Sequence, residues 1–588
     1  MVAASDNGAG TDWSFQIRQI RQCLYRSAAI AAHRPRANLV TRTCSPHARL
    51  SWEAHWDRKR SNRIDGHRYC KRELQVNTTI RRNTLSDVLW RTARRTPDKI
   101  ALCYGAQSWT YAEFDALVTK AATGLAARGV QAGDRIAVIS RNSHNFVFLR
   151  FAVARLGAVL VPLNFMLRHS QASRLCVDSE FAAVGTQAAQ QATGIQELIW
   201  LPAEQGVDPP PDLINFETII ATGEGQIESP ATAQSIAQIM YTSGTESLPK
   251  GVMLTHEAVL TQYLSCIVDL EITTDDRILH SLPMYHCAQL DCMLGPSVLV
   301  GGFNVVIGAP QPERVLQLIE QYRINSYFAP PTVWISLLRS PLFDQVDLSS
   351  LEKGYYGASI MPVEVLLELQ RRLPKLRLWN AYGQTEIAPL ATVLKPEDQL
   401  RKPGSAGKPV IHVETRVVRD DMSDVAIGEI GEVVHRSAQL MSGYLDDADK
   451  TADAFAGGWF HSGDLAVLDD DGYLTIVDRK KDMIKSGGEN VASREVEESI
   501  YRLDGVSEVA VIGLPDPHWV EAVTAFVVVK QGAKLNEAVV MAHCDQHLGR
   551  YKRPKRVFFI EAMPKNASGK VMKRELRLKY SEPVPSPF

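Results

Sequence analysis

Residues 135–162 constrain this chain most. An apolar stretch at 135–140 (RIAVIS) is followed by an apolar-rich segment at 145–156 and a second apolar stretch at 158–162 (AVLVP). The outer stretches have strand length and branched side chains, and the middle one is long enough for three helical turns. Strand, helix and strand in succession form a crossover unit, whose two strands run parallel and whose helix covers the sheet. The expected fold class is therefore α/β, and similar alternation continues to about residue 400. Residues 401–478 are richer in glycine and short alternating segments, which predicts a smaller β subdomain. After residue 481 the pattern restarts. Strands are expected near 509–514, 523–530 and 556–560, with helices at 494–503 and 536–548, as in a small α+β domain.

At 588 residues the chain exceeds what one hydrophobic core serves, so two or more domains are expected. We divide it into an extension at 1–83, a large domain at 84–480 and a small domain at 481–588. The extension holds 16 Lys+Arg against 6 Asp+Glu, whereas the remainder holds 49 against 60. An acidic body argues against general nucleic-acid binding, which needs concentrated positive charge. Residues 14–51 contain seven arginines and no acid, with a helical apolar stripe at Ile17, Ile20, Leu24 and Ala28. Two readings stand: an organellar transit peptide, or a disordered basic arm. Nine scattered cysteines without paired spacing point to reduced thiols and a cytoplasmic setting, organelle targeting being the alternative. The uncharged run at 292–312 is broken by Gly295, Pro296, Gly301 and Gly302. It reads as two buried strands about a Gly-Gly turn, and no transmembrane segment is expected.

The segment 239–256, IMYTSGTESLPKGVMLTH, carries the clearest chemistry. Thr242, Ser243, Gly244 and Thr245 offer several N–H and O–H donors to one anion, and Lys250 adds a positive charge. This suits a polyphosphate. The spacing is not that of a Walker A loop. Elsewhere stand YGQTE at 382–386, GWFHSGDL at 458–465, DRKKDMIKSGGENV at 478–491 and PKNASGKVMKREL at 564–576.

These five motifs, in this order, resemble those of the adenylate-forming superfamily, which contains acyl-CoA synthetases, luciferases and peptide-synthetase adenylation domains. The resemblance spans roughly residues 84–576 and leaves the extension outside. It implies an ATP-dependent acid–thiol ligase with ATP, Mg²⁺ and coenzyme A as cofactor and co-substrates. A carboxylic acid becomes an acyl-adenylate with release of pyrophosphate, and the acyl group then passes to coenzyme A with release of AMP. Within that pattern Glu386 holds Mg²⁺ on the ATP phosphates, and Thr385 contacts the α-phosphate. Asp464, expected in a turn after the aromatic pair Trp459 and Phe460, accepts the ribose hydroxyls, with Arg479 reaching the same nucleotide. Gly357, Ala358 and Ser359 line the adenine, and Tyr382, next to Gly383, forms its other face. Lys570 bridges the attacking carboxylate and the α-phosphate. Lys481 is the hinge of a mobile small domain that exchanges the Lys570 loop for a coenzyme A-side loop, Ser486, Gly487 and Gly488. Most relatives carry Thr-Gly where this chain has Glu246–Ser247, a departure within the phosphate loop.

Residues 282–289, LPMYHCAQ, match the stretch where amino-acid-activating relatives carry an aspartate for the substrate amine. His286 stands there instead and no acid does, which favours an amine-free acid. Residues 290–306 and 330–334 are read either as the lining of an acyl tunnel or as plain core. A fatty acid is the leading substrate, with aryl-acid:CoA and carrier-protein acyl ligases as alternatives in the same family. Two other classes are weighed beside it. His286 and Asp291 fit the H-x-x-x-x-D pattern of glycerolipid acyltransferases, and a catalytically silent nucleotide-binding scaffold would share the fold.

Overall fold

The computed structural model describes residues 82–581 apart from 164–166, 193, 204–206, 208, 211, 243–248, 531 and 566–570. The extension up to residue 81, Ser243, Gly244, Thr245, Glu246, Ser247 and Lys570 thus lie outside the described residues.

The crossover unit forms as read. Strand Arg135–Ile139 lies parallel to Val159–Pro162, and helix His144–Leu156 joins them. Ser143 begins the helix, its Oγ accepting the Phe146 N–H, which satisfies one of the donors left over at a helix start. Every residue of this helix is buried, as expected of a helix apolar on all sides. Its two arginines are neutralised: Arg150 by Asp291 at 3.4 Å and Arg155 by Asp115 at 2.6 Å.

This unit belongs to an eight-stranded sheet ordered Gly443–Tyr444, Lys250–Thr255, Ile236–Thr242, Val159–Pro162, Arg135–Ile139, Arg174–Val177, Glu197–Trp200 and Ile214–Asn215. Ile236–Thr242 and Lys250–Thr255 pair antiparallel, so the phosphate-loop segment is framed by Thr242 opposite Lys250. A second sheet of nine strands has a parallel centre that includes Lys353–Gly357 and Arg377–Gly383, with Gly357 opposite Ala381. The hairpin of Ile100–Tyr104 and Gln107–Thr110 forms one edge of it. A four-stranded antiparallel sheet, Glu414–Val418, Gly431–Arg436, Phe460–Leu468 and Leu474–Arg479, is the expected β subdomain.

The small domain has its own apolar core, including Val496, Ile500, Val511, Val523 and Val540. Strands Val506–Asp516 and Val520–Val529 pair antiparallel, and Arg556–Phe559 adds parallel to the second. Helices Ser493–Tyr501, Glu537–His547 and Lys573–Tyr580 cover the sheet.

Two expectations are corrected. The run at 292–312 is not two strands. Its first half is helical, a wide turn at Leu290–Leu294 continued by Gly295–Val300, and the strand Phe303–Val306 follows Gly301–Gly302. A short, wholly apolar run has no period that separates buried helix from buried strand. Asp464, expected in a turn, lies within strand Phe460–Leu468. Among the described residues no helix is long and apolar enough to cross a membrane.

Three buried histidines give the large domain a defined acid sensitivity. His256 Nδ1 accepts the Leu85 N–H at 3.1 Å, His280 lies between Gln289 and Asn304, and His435 lies beside Thr415. Burial pushes each of them down to about 4. The unfolded chain then takes up protons below its ordinary histidine pKa while the folded chain does not. Stability is therefore full above about pH 6.5 and is lost as pH falls towards 4, by up to about 3 kcal/mol per histidine. Urea midpoints measured from pH 7 to 4.5 should fall steeply, and His435→Gln should flatten that slope. A midpoint independent of pH would contradict the assignment.

Candidate active site

Three of the expected nucleotide residues meet directly. Strand pairing sets Asp464 opposite Arg479, with Arg479 Nε 3.0 Å from Asp464 Oδ1. Tyr382, near the end of strand Arg377–Gly383, donates its hydroxyl to Asp464 Oδ2 at 2.7 Å. Asp464 is only 5% exposed, so Arg479 compensates a nearly buried charge. Burial and then the Asp464 carboxylate push the Tyr382 phenol well up, so it stays a donor. Burial would lower Arg479, but nearby carboxylates, Asp464 foremost and Glu386 beyond it, hold it above its ordinary value. Each Asp464 oxygen keeps a second lone pair, so both remain able to accept a sugar hydroxyl.

Just past Tyr382 the chain doubles back. A Cβ on Gly383 would lie 1.9 Å from the Pro389 carbonyl oxygen, so glycine is required there. Gln384 N–H donates to that same oxygen at 2.9 Å, and the short turn Thr385–Ile387 follows. Glu386 is buried within it. Its Oε1 accepts the Tyr444 hydroxyl at 3.0 Å, and its carbonyl accepts the Met441 N–H at 2.8 Å. Thr385 Oγ1 accepts a weak hydrogen bond from Cys287 Sγ at 3.5 Å. Lys250 places its ammonium 4.4 Å from the centre of the Tyr444 ring. Glu386 and Lys250 are thereby linked through Tyr444, and Thr385 touches Cys287; sequence reasoning singled out neither Tyr444 nor Cys287.

Gly357 ends its strand beside Ala381, and Ala358 and Ser359 are exposed just beyond it. His286 precedes the helical turn Cys287–Gln289, its ring 5.9 Å from that of Tyr285. The acyltransferase pattern fails on geometry. Asp291 is fully buried, its Oδ1 accepting from Arg150 at 3.4 Å and Tyr263 at 3.1 Å, and its Oδ2 from Gln238 at 2.7 Å. That carboxylate braces the interior and is not available to orient a general base.

Lys481 sits in the turn between strand Leu474–Arg479 and the hairpin Ile484–Ser486/Glu489–Val491. Next to it Asp482 pairs with Arg577 at 2.9 Å. Gly487 and Gly488 form the hairpin's two-residue turn with φ of +63° and +87°, the pattern that favours glycine at both positions. Gly487 N–H donates to the Trp519 carbonyl at 2.7 Å. The hydrogen bonds of this turn run within the small domain, whereas Tyr382, Asp464, Arg479, Glu386 and Lys250 gather in the large one.

Glu386 offers a hard oxygen donor, and among the described residues no group of three His, Cys, Asp or Glu side chains is placed to hold a metal ion. One carboxylate completed by substrate phosphates suits Mg²⁺, which keeps waters and seldom takes an all-protein cage. The donor set therefore fits that ion.

The layered α/β body, the buried carboxylates of Asp464 and Glu386 with Arg479 and Lys250 beside them, and the small appended domain suit a nucleotide-dependent enzyme. The AMP-binding enzyme family model matches residues 89–445, and the AMP-binding enzyme C-terminal domain model matches 495–570. The chain is 35% identical to the feruloyl-CoA synthase of Amycolatopsis sp, over 83% of this chain and 98% of that one. It is 37% identical to the long-chain-fatty-acid–CoA ligase FadD13 of Mycobacterium tuberculosis, over 81% and 94%. ATP-bound MatB from Rhodopseudomonas palustris superposes with a TM-score of 0.78 at 28% identity, covering 85% of this chain and 99% of that one. The chain belongs to the AMP-binding enzyme family, and it is an adenylate-forming acid–thiol ligase.

Proposed function

We propose that the protein converts a hydrophobic, amine-free carboxylic acid and ATP into an acyl-adenylate and pyrophosphate, then forms the acyl-CoA thioester and releases AMP. The observation that carries this reading is the Tyr382–Asp464–Arg479 cluster beside the Glu386–Tyr444–Lys250 group. The first suits a ribose and the second suits a triphosphate. A carboxylate oxygen attacks the α-phosphorus as the bond to the pyrophosphate oxygen breaks. The thiol sulfur then attacks the acyl carbon, AMP leaves with the bridging oxygen, and the thiol proton passes to solvent.

Each residue acts mainly by positioning and neutralising charge. Asp464 and Arg479 fix the ribose, and Gly357–Ser359 with Tyr382 flank the base. Thr242–Thr245 and Lys250 hold the phosphates, with Thr385 on the α-phosphate and Glu386 as the carboxylate for Mg²⁺. When bound, that ion neutralises phosphate charge. Lys570 bridges the two reacting groups during adenylation. We place the hinge at Lys481, between a large domain at 84–480 and a small one at 481–588, with Ser486–Gly488 facing coenzyme A in the second half-reaction.

A fatty acid is our first reading of the substrate, supported by the likeness to FadD13 and by the absence of an acidic residue from 282–289. An aryl acid is the second, supported by the likeness to feruloyl-CoA synthase. His286 is assigned to the acid pocket, one residue from the Cys287–Thr385 contact. Thioester formation should be compared as kcat/KM for octanoate, palmitate, benzoate and ferulate. Preference for an aliphatic chain by tenfold or more supports the first reading, and the reverse order overturns it in favour of the second.

A further inference from the structure

We propose that Tyr444 is a positioning residue that acts as a neutral spacer between Lys250 and Glu386, keeping the two charges apart so that one meets phosphate and the other meets the metal. The inference rests on the roles proposed above for those two residues. Their chemistry creates the need. An ammonium and a carboxylate close together in a partly dry site attract strongly and would pair with each other in the absence of nucleotide. Such a pair would have to break each time ATP·Mg²⁺ entered.

Tyr444 satisfies both groups separately. The face of its ring receives the Lys250 ammonium at 4.4 Å, an attraction between a cation and the negative ring face. Its hydroxyl donates to Glu386 Oε1 at 3.0 Å, leaving the rest of the carboxylate's lone pairs for a hard cation.

The backbone fixes the residue in this place. Strand Gly443–Tyr444 pairs antiparallel with the strand that begins at Lys250, setting Tyr444 opposite Val252. Ser442 N–H donates to Met253 at 2.9 Å and Leu445 N–H to Gly251 at 2.8 Å. One residue before Ser442, Met441 N–H binds the Glu386 carbonyl at 2.8 Å, so one segment clasps both the lysine strand and the glutamate turn. Tyr444 N–H is itself anchored on Thr451 Oγ1 at 2.9 Å. A side chain serving merely to fill space would not need both a ring under an ammonium and a hydroxyl on a carboxylate.

The test uses the full chain and two variants. Tyr444→Phe keeps the ring but frees Glu386, and Tyr444→Leu removes both contacts. Metal binding is read directly from the electron-paramagnetic-resonance signal of free Mn²⁺ in the presence of the non-cleavable α,β-methylene analogue of ATP. Tyr444→Phe should weaken Mn²⁺ binding about tenfold, the scale of one hydrogen bond to a charged group, with the KM for the acid unchanged. Tyr444→Leu should also weaken binding of the analogue measured without metal. Thermal unfolding checks that each variant is folded, and if Tyr444→Leu is not, Tyr444→Phe alone decides. Mn²⁺ binding equal in Tyr444→Phe and the parent chain overturns the inference, as does equal loss of metal and acid affinity. Failure of the parent chain to bind Mn²⁺ with the analogue would instead overturn the assignment of Glu386 and Lys250.

Discussion

Replacing Lys570 by alanine should lower acid-dependent ATP–pyrophosphate exchange by about 10²–10³-fold, the usual loss for one donor aimed at developing transition-state charge. The motivating observation is its place in the motif PKNASGKVMKREL, since the residue lies outside the described ones. In the proposed reaction two anions approach each other, the carboxylate and the α-phosphate, and a lysine between them offsets repulsion that grows as the bond forms. Arg479 cannot substitute, because Asp464 already engages it at 3.0 Å. The same variant should still make thioester from chemically prepared acyl-adenylate, because that step has no such approach of two anions. Equal damage to both half-reactions would mean that Lys570 serves the fold or a single fixed site.

Gly488→Leu should do the opposite. Gly488 has φ of +87° and open space around the position a Cβ would take, whereas a Cβ on Gly487 would meet the Trp519 ring at 3.0 Å. A leucine at 488 therefore projects from the turn at a backbone strain of about 1–3 kcal/mol, leaving the domain core intact. If the turn faces the incoming thiol, that side chain displaces the thiol from its line of attack, and misplacement by about 1 Å can cost 10²-fold. Thioester formation from supplied acyl-adenylate should fall by about that factor, with acid-dependent exchange nearly unchanged. Loss of exchange to the same degree would remove the turn from the second half-reaction. The two variants together separate the half-reactions, as expected if one small domain presents two loops in turn.

How much of this was legible in the sequence differs from element to element, for physical reasons. The crossover unit of residues 135–162 was readable to within a residue or two, because strand and helix each had sufficient length and Ser143 marks the helix start. The phosphate-loop frame was also readable, since apolar residues flank a polar loop on both sides. The segment 292–312 was not, because its helix is mostly buried and shows no polar stripe. Asp464 was read into a turn after the aromatic pair Trp459 and Phe460, and Gly463 just before it does take φ of +71°. The strand nevertheless continues through it, held by pairing with Leu474–Arg479. Tyr444 was out of reach for a different reason. Its two partners come from strands and turns far away in the chain, Glu386 lying 58 residues before it, and no local pattern marks a side chain whose role is to touch both. Tyr382, Asp464 and Arg479 were named from the resemblance, but their mutual hydrogen bonds follow only from the folded sheets.

The central claim is that an acid is activated through its adenylate before the thiol takes part. It is tested most directly by ATP–pyrophosphate exchange in the absence of coenzyme A, followed by addition of coenzyme A to the same mixture. Exchange should require a matching acid and Mg²⁺, and addition of coenzyme A should then release one AMP for each thioester formed. Exchange without acid, or ADP in place of AMP, would contradict the account.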